Sequence, residues 1–301
     1  MTTANNNNTI YDDVFKTMLE KFPELIIPLV NEEFHQNCPL NAEIESLNLE
    51  SHKKEGHVVA DSVFKIENHF YHVECQSSID NTIAVRILEY DFYIAMKNMT
   101  KGIDDIYEIE FPKSCVIYLR HNKNTKDIMK VRLKITDTMT FHYEVPVVKA
   151  QKYTVEEIFE KKLFLLLPFY IMRYEKIGNN TTDKEEIERI VEEYKEIVSK
   201  MEDAFYSANY TDGKRLCAEL QELMKRLAEY TFENNEDAKR KIGGAIMGGT
   251  ALKTLTERFE ESEEKIKQFE AEKEQAEAKN KEAEAEIQRL RKILAEHGLS
   301  E

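Results

Sequence analysis

ADSVFKIENHFYHVECQS, residues Ala60 to Ser77, reads as two β-strands folded back on each other. Val58, Val59, Val63, Phe64 and Ile66 supply the first strand, and Phe70, Tyr71, Val73 and Cys75 the second. The polar pair Glu67-Asn68 marks the turn between two stretches rich in β-branched and aromatic residues. If Ile66 pairs with His69, counting outward sets Asp61 opposite Glu74, and opposed residues bring their Cβ atoms within about 4.5–5.5 Å. Gln76 lies two residues beyond Glu74 and shares its face. Two carboxylates that close repel, and a divalent cation is the simplest reason to keep them together. Mg²⁺ is commonly held by one or two carboxylates, with water and phosphate oxygens completing its octahedron. A slip of one residue in the register would send the two acids to opposite faces and dissolve the site. His72 is on the same face, either assisting the site or acting as a hydrogen-bonded structural histidine.

The 301 residues suffice for one large or two ordinary domains. Cys38, Cys75, Cys115 and Cys217 show no CxxC spacing, so they read as reduced thiols of a cytoplasmic protein. The start, MTTANNNNTIYDD, has neither a basic nor an apolar region of a secretory signal. The longest apolar run, Leu163–Met172, is too short to span a bilayer and contains Pro168; it reads as a buried element, and no membrane partner is expected. The net charge of −15 argues against a general nucleic-acid coat protein. Even so, Arg120–Lys134 (RHNKNTKDIMKVRLK) holds six basic residues and one acid, Asp127. Such a strip can contact phosphates; a solvated hairpin rim accounts for it equally well.

Tyr11–Leu29 reads as one or two helices around Pro23, and Ser46–His52 as a half-exposed strand. Asp80–Met99 reads as a helix apolar over most of its circumference, with Ile83, Ile87 and Ile94 on one side and Val85, Leu88, Phe92 and Met99 on another. A single polar stripe remains, Thr82, Arg86, Tyr90, Tyr93 and Lys97, facing either something particular or solvent. Ser114–His121 reads as a buried strand, Ile128–Lys134 and Thr138–Val148 as a second hairpin, and Thr154–Tyr174 as a helix capped by Thr154. This order predicts an α/β domain with a mixed sheet.

Beyond Gly178 the composition changes. Asp183–Ala208 and Asp212–Glu233 read as an αα-hairpin. The glycine-rich Gly243–Thr250 lacks both the Lys-Ser/Thr ending and the preceding strand of a phosphate loop, and reads as a hinge. Leu252, Phe259, Ile266, Lys273, Asn280, Ile287 and Leu294 then recur every seventh residue, Lys273 and Asn280 being the polar breaks of this column, with Leu255, Ser262, Phe269, Ala276, Ala283 and Leu290 in the complementary column. That is a heptad coiled coil with two polar breaks, expected to pair two copies of the chain. A charged helix folding back on its own domain is the competing reading.

The order of motifs resembles a known family: DDVFK (Asp12–Lys16), Asp61, Glu74-Cys75-Gln76, Arg86 with Tyr90, then SCVIYLRH and FEKKLFLLLPFYIMRYE. It is similar to the PD-(D/E)xK nuclease family transposases, the recombination-promoting nuclease-like proteins, over roughly residues 10–176. The resemblance implies a restriction-endonuclease-like mixed sheet flanked by helices, and Mg²⁺- or Mn²⁺-dependent cleavage of DNA. It implies that Asp61 and Glu74 bind the metal, with the backbone carbonyl of Cys75 as a further ligand. Gln76 stands where the wider superfamily places a lysine, and this branch often shows glutamine. Asp12 matches the acidic residue of the N-terminal motif, with Asp13 as fallback, and Lys16 its lysine. Arg86 and Tyr90 would contact the phosphate.

The expected organisation is a disordered start (1–9), a nuclease-like domain (10–176), a helical hairpin (177–242), a glycine-rich hinge (243–250) and a coiled coil (251–297). The leading expectation is a cytoplasmic, homodimeric, metal-dependent DNA endonuclease in recombination or mobile-element processes. One alternative is a non-catalytic DNA- or protein-binding oligomer on a degenerate nuclease fold. Another is a coiled-coil scaffold with an incidental globular head.

Overall fold

A computed structural model describes residues 9–47, 50–53, 56–59, 62–178, 184–206 and 212–248. The chain divides into two compact units, residues 1–247 and 248–301. The heptads of 251–297 fall outside the described residues, as do Asp61 and most of the expected disordered start.

The first unit opens with α1 (Thr9–Lys21) and α2 (Ile27–Phe34), joined by a 3₁₀ turn at Pro23–Ile26. Pro23 ends the first helix because it has no N–H to continue the ladder, and it fits the first turn of the next element. Next come β1 (Ile44–Ser46), β2 (Glu50–Lys53), β3 (Gly56–Val59), β4 (Val63–Ile66) and β5 (His69–Gln76). The single strand expected over Ser46–His52 is two strands in two sheets. β1 pairs with β4, whereas β2 pairs with β3 in a separate ribbon. Val58 and Val59 therefore belong to that ribbon, and the first strand of the central hairpin is only Val63–Ile66. The hairpin register is the expected one, Ile66 opposite His69 through Val63 opposite His72. Glu67 turns the corner in the left-handed region, at φ 55°.

The chain then crosses over through α3 (Ile83–Lys97) and a short ribbon, β6 (Thr100–Lys101) with β7 (Tyr107–Glu108). It continues into β8 (Lys113–Tyr118), β9 (Ile128–Lys134) and β10 (Thr140–Lys149). The main sheet has six strands in the order β1-β4-β5-β8-β10-β9. β5, β8 and β10 run parallel to one another, while β1–β4, β4–β5 and β9–β10 are antiparallel pairs. Parallel neighbours require a crossover, and α3 supplies the one from β5 to β8.

The helix expected over Thr154–Tyr174 forms in two pieces. α4 (Val155–Glu160) starts at a capping box, in which Thr154 and Glu157 each accept the other's backbone N–H. Lys162, at φ 57°, breaks it, and Phe164–Tyr174 continues as a buried 3₁₀ helix around Pro168. α5 (Glu175–Gly178), α6 (Lys184–Tyr206) and α7 (Gly213–Thr231) follow. The αα-hairpin has the expected form but no core of its own. Tyr194, Phe205, Leu220 and Leu227 belong to the same buried cluster as Phe15, Tyr71 and Ile117. The backbone stays helical from 236 to 248, with Ile242 and Ile246 fully buried, so Gly243 and Gly244 lie within a helix rather than in a hinge loop.

That large cluster covers one face of the sheet, with α1, α2, the 3₁₀ helix and the hairpin packed over it. α3 covers the other face, through Ile83, Ala84 and Ile87 against Val116, Tyr118, Val145 and Val147. One sheet can bury only one side of a helix. Val85, Phe92 and Met99, expected inside, are accordingly 57 %, 53 % and 39 % exposed.

Candidate active site

The local pattern of β5 places the site. In HFYHVECQ, alternation sends Tyr71, Val73 and Cys75 into the large core and leaves His72, Glu74 and Gln76 on the face toward α3. His72 and Glu74 are nonetheless buried, at 0 % and 1 % exposure. A buried charge is tolerated only when paired and hydrogen-bonded, and the surrounding side chains meet that demand.

His72 stands between two carboxylates, with Nδ1 2.6 Å from Asp91 Oδ1 and Nε2 3.1 Å from Glu74 Oε1. Asp91 also accepts a hydrogen bond from the Tyr143 hydroxyl of β10. Gln76 Nε2 donates to Glu74 Oε2 at 3.3 Å. Both ring nitrogens of His72 can donate at once only in the imidazolium form. Burial by itself pulls the His72 pKa down, but the hydrogen bonds to Asp91 and Glu74 and their charges outweigh it and push the group up to about 9. Burial combines with the Asp91 charge and hydrogen bond to hold the Tyr143 hydroxyl far above its ordinary range, so it stays a neutral donor.

α3 lays its polar stripe along these groups. Arg86 Nη2 comes within 4.0 Å of Glu74 Oε2, and Arg86 Nη1 donates to Asp80 Oδ2 at 3.0 Å. Arg86 Nε is buried with no hydrogen-bond partner among the described residues. The Tyr90 ring stands edge-on to His72, with centroids 5.8 Å apart. Asp80 bonds the Thr82 N–H and hydroxyl at the helix start. Partial burial raises the Asp80 pKa, but those two bonds and Arg86 bring it below the usual carboxylate range.

The structure thus brings together Glu74, Gln76, Arg86 and Tyr90 of the residues singled out in the sequence. Cys75 turns its thiol into the core at 8 % exposure. Asp12 and Lys16 form an ion pair of 2.9 Å across one turn of α1, and Asp13 pairs with Arg226. Asp61 lies outside the described residues. Sequence reasoning missed Asp91 and Tyr143. The signal for Asp91 was present, since it falls four residues after Ile87 and three before Ile94, at the centre of a face that is otherwise apolar.

Glu74 supplies hard oxygen donors suited to Mg²⁺ or Mn²⁺, and the guanidinium beside Oε2 shows that this side of the carboxylate accepts positive charge. Among the described residues no group of three or more His, Cys, Asp or Glu is arranged to hold a metal ion. A complete metal centre therefore needs a donor beyond them, the role the resemblance gives Asp61.

Arg120, just past β8, ties this edge of the sheet to the helices. Its guanidinium donates to both Glu175 oxygens at 2.6 and 2.5 Å, to the Tyr11 hydroxyl at 3.0 Å and to the Ser77 carbonyl at 2.8 Å. The first residue of the basic strip is thus committed to structure. No helix among the described residues is long and apolar enough to cross a membrane. Comparison of the chain with family models, with curated proteins and with solved structures gave no match, so the functional reading rests on these residues themselves.

Proposed function

We propose that the protein is a metal-dependent endonuclease that hydrolyses DNA phosphodiester bonds, with a core of the PD-(D/E)xK type. The observation that carries this reading is the placement of Glu74, a buried carboxylate near the carboxyl end of β5, 4.0 Å from the Arg86 guanidinium with its unpartnered Nε. In open α/β sheets ligands bind outside the carboxyl ends of the strands, which is where β5, β8 and β10 all end.

Each residue then has a task. Glu74 and Asp61 would hold the cation, Mg²⁺ or Mn²⁺, with the Cys75 carbonyl as a further oxygen. When bound, that cation polarises the phosphate and lowers the pKa of a coordinated water. The exposed part of the Arg86 guanidinium can meet a phosphate oxygen, because a guanidinium fork matches phosphate geometry. Gln76 orients a water by hydrogen bonding but adds no charge. Tyr90 covers His72 and flanks the substrate, and Lys16 of α1 supplies a further phosphate contact beside Asp12. His72, Asp91 and Tyr143 fix the Glu74 carboxylate. The heptads of 251–297 would pair two such units in the cytoplasm, which suits cutting both strands of a duplex.

A second reading keeps the DNA-binding surface without turnover. It is favoured by the engagement of both Glu74 oxygens within the protein, Oε1 by His72 and Oε2 by Gln76. Plasmid nicking decides between them. The nuclease reading expects Mg²⁺- or Mn²⁺-dependent nicking that disappears in both Glu74→Ala and Asp61→Ala. Absence of metal-dependent nicking by the wild-type chain, with DNA still bound, leaves the binding reading; nicking that persists at the wild-type level in both variants excludes this site as its source.

A further inference from the structure

Beside Arg86 lies a cleft of about 850 Å³, formed between the start of α3 and the β8–β9 connection. Its lining is part apolar, a floor from Ala84 and Met129 with the more exposed Ile79 beside it, and part polar, from Asn81, Asn122 and Lys126. We infer that this cleft takes one unstacked nucleotide of a single-stranded nucleic acid, with the base on the apolar floor and a neighbouring phosphate on Lys126. The inference rests on the nuclease reading only for what happens next to the cleft, not for binding within it.

Three observations carry it. The first is size and lining: clefts for small organic groups run about 300–1,000 Å³ with apolar walls and a few polar groups. A site for phosphate alone would need neither this volume nor the thioether of Met129. Exposed amides such as Asn81 and Asn122 carry both donors and acceptors, as the edge of a base requires.

The second is charge. Lys126 makes no ion pair among the described residues, although the chain as a whole is acidic. The acid next to it, Asp127, is already engaged by Lys149 at 2.7 Å and Lys152 at 3.6 Å. The loop therefore carries a local excess of positive charge.

The third is continuity. Asp80 lines the cleft and also holds Arg86, which reaches toward Glu74. A strand with one base in the cleft thus runs directly past the candidate site. A duplex could fill the cleft only by unstacking a base, at a cost of a few kcal/mol, so single strands are the better fit.

The test uses the full chain carrying Glu74→Ala, without metal, and measures fluorescence anisotropy with a labelled 12-nucleotide single strand and with the matching duplex. The single strand is expected to bind about 10-fold more tightly than the duplex. Lys126→Ala should weaken it about 5-fold and lower the salt slope by about 0.7, the value for one phosphate on a single strand. Ile79→Asp, at a partly exposed position, should weaken it at least as much. Equal affinity for single strand and duplex overturns the inference, and so does unchanged binding in either variant. Loss with Lys126→Ala but not Ile79→Asp would reduce the cleft to a charged patch and also overturns it. Plasmid nicking is scored separately. Nicking with unchanged single-strand binding in the cleft variants removes the cleft and keeps the nuclease, whereas weakened binding without any nicking removes the nuclease and keeps the cleft.

Discussion

His72 Nδ1 lies 2.6 Å from Asp91 Oδ1, with both side chains wholly withdrawn from solvent. This contact joins β5 to α3 through charge. Its strength depends on His72 holding its second proton, and the raised pKa of about 9 gives the direction of that dependence. The unfolded chain releases the proton near pH 6.5. The stabilisation is therefore complete below about pH 6.5 and is lost as the pH rises through about 9. Urea midpoints should fall between pH 7 and pH 9.5, and His72→Gln should flatten that fall. Removing one partner is harsher: Asp91→Ala leaves the buried His72 with Glu74 as its single carboxylate and takes the acceptor from the Tyr143 hydroxyl, and should cost about 3 kcal/mol. A pH-independent midpoint in the wild type would show that His72 is neutral in the folded protein.

Gln76 touches Glu74 without being buried beneath the core, so its replacement separates chemistry from folding. Gln76→Ala should lower metal-dependent nicking about 10–100-fold, the usual effect of removing a group that orients a metal ligand, and move the urea midpoint little. Gln76→Lys adds a positive charge at this position and should retain more activity than the alanine variant. Equal nicking by wild type and Gln76→Ala would exclude Gln76 from the site.

Much of this arrangement was legible in the sequence because its signals are local. The register around Glu67-Asn68 follows from period-two alternation and a two-residue turn, and it holds from Ile66–His69 to Val63–His72. Arg86 and Tyr90 were visible as a stripe because helical spacing fixes which residues share a face. What stayed hidden depended on tertiary pairing. The separation of β2–β3 from the main sheet depends on which strand pairs with which, and nothing in SLNLESH encodes that. Likewise Asp91 gains its meaning only once His72 and Tyr143 arrive from strands 19 and 52 residues away. The exposed Val85 and Phe92 failed for the opposite reason. Hydrophobicity alone does not tell how many sides of a helix the fold covers.

Gly213 opens α7 directly against the last turn of α6. A Cβ there would fall well inside van der Waals contact of the Phe205 carbonyl oxygen and carbon. Backbone cannot give way as a flexible side chain does, so Gly213→Ala must push the two helices apart. The hairpin shares the main core, and the cost should reach about 3 kcal/mol, the upper part of the range for overpacking. Gly244→Ala is the matched control, since nothing lies within 4 Å of its added carbon. Inside a helix that change should stabilise by about 0.5–1 kcal/mol. Thermal melts of the two variants should therefore shift in opposite directions.

Arg120 and Lys126 lie six residues apart in one basic strip and should respond in opposite ways. The Arg120 guanidinium uses its fork on Glu175 while reaching Tyr11 and the Ser77 carbonyl, joining α1, α5 and the end of β5. Lysine keeps the charge but cannot hold several partners in one plane. Arg120→Lys should thus cost about 1–2 kcal/mol, the loss of one or two net hydrogen bonds to charged groups, while the salt dependence of nucleic-acid binding stays unchanged. Lys126→Ala should leave the urea midpoint within about 0.5 kcal/mol, as exposed substitutions do, and reduce that salt dependence. If instead Arg120→Lys flattens the salt dependence at constant stability, then Arg120 faces phosphate in solution, and the Glu175 fork is not what holds the strand edge to the helices.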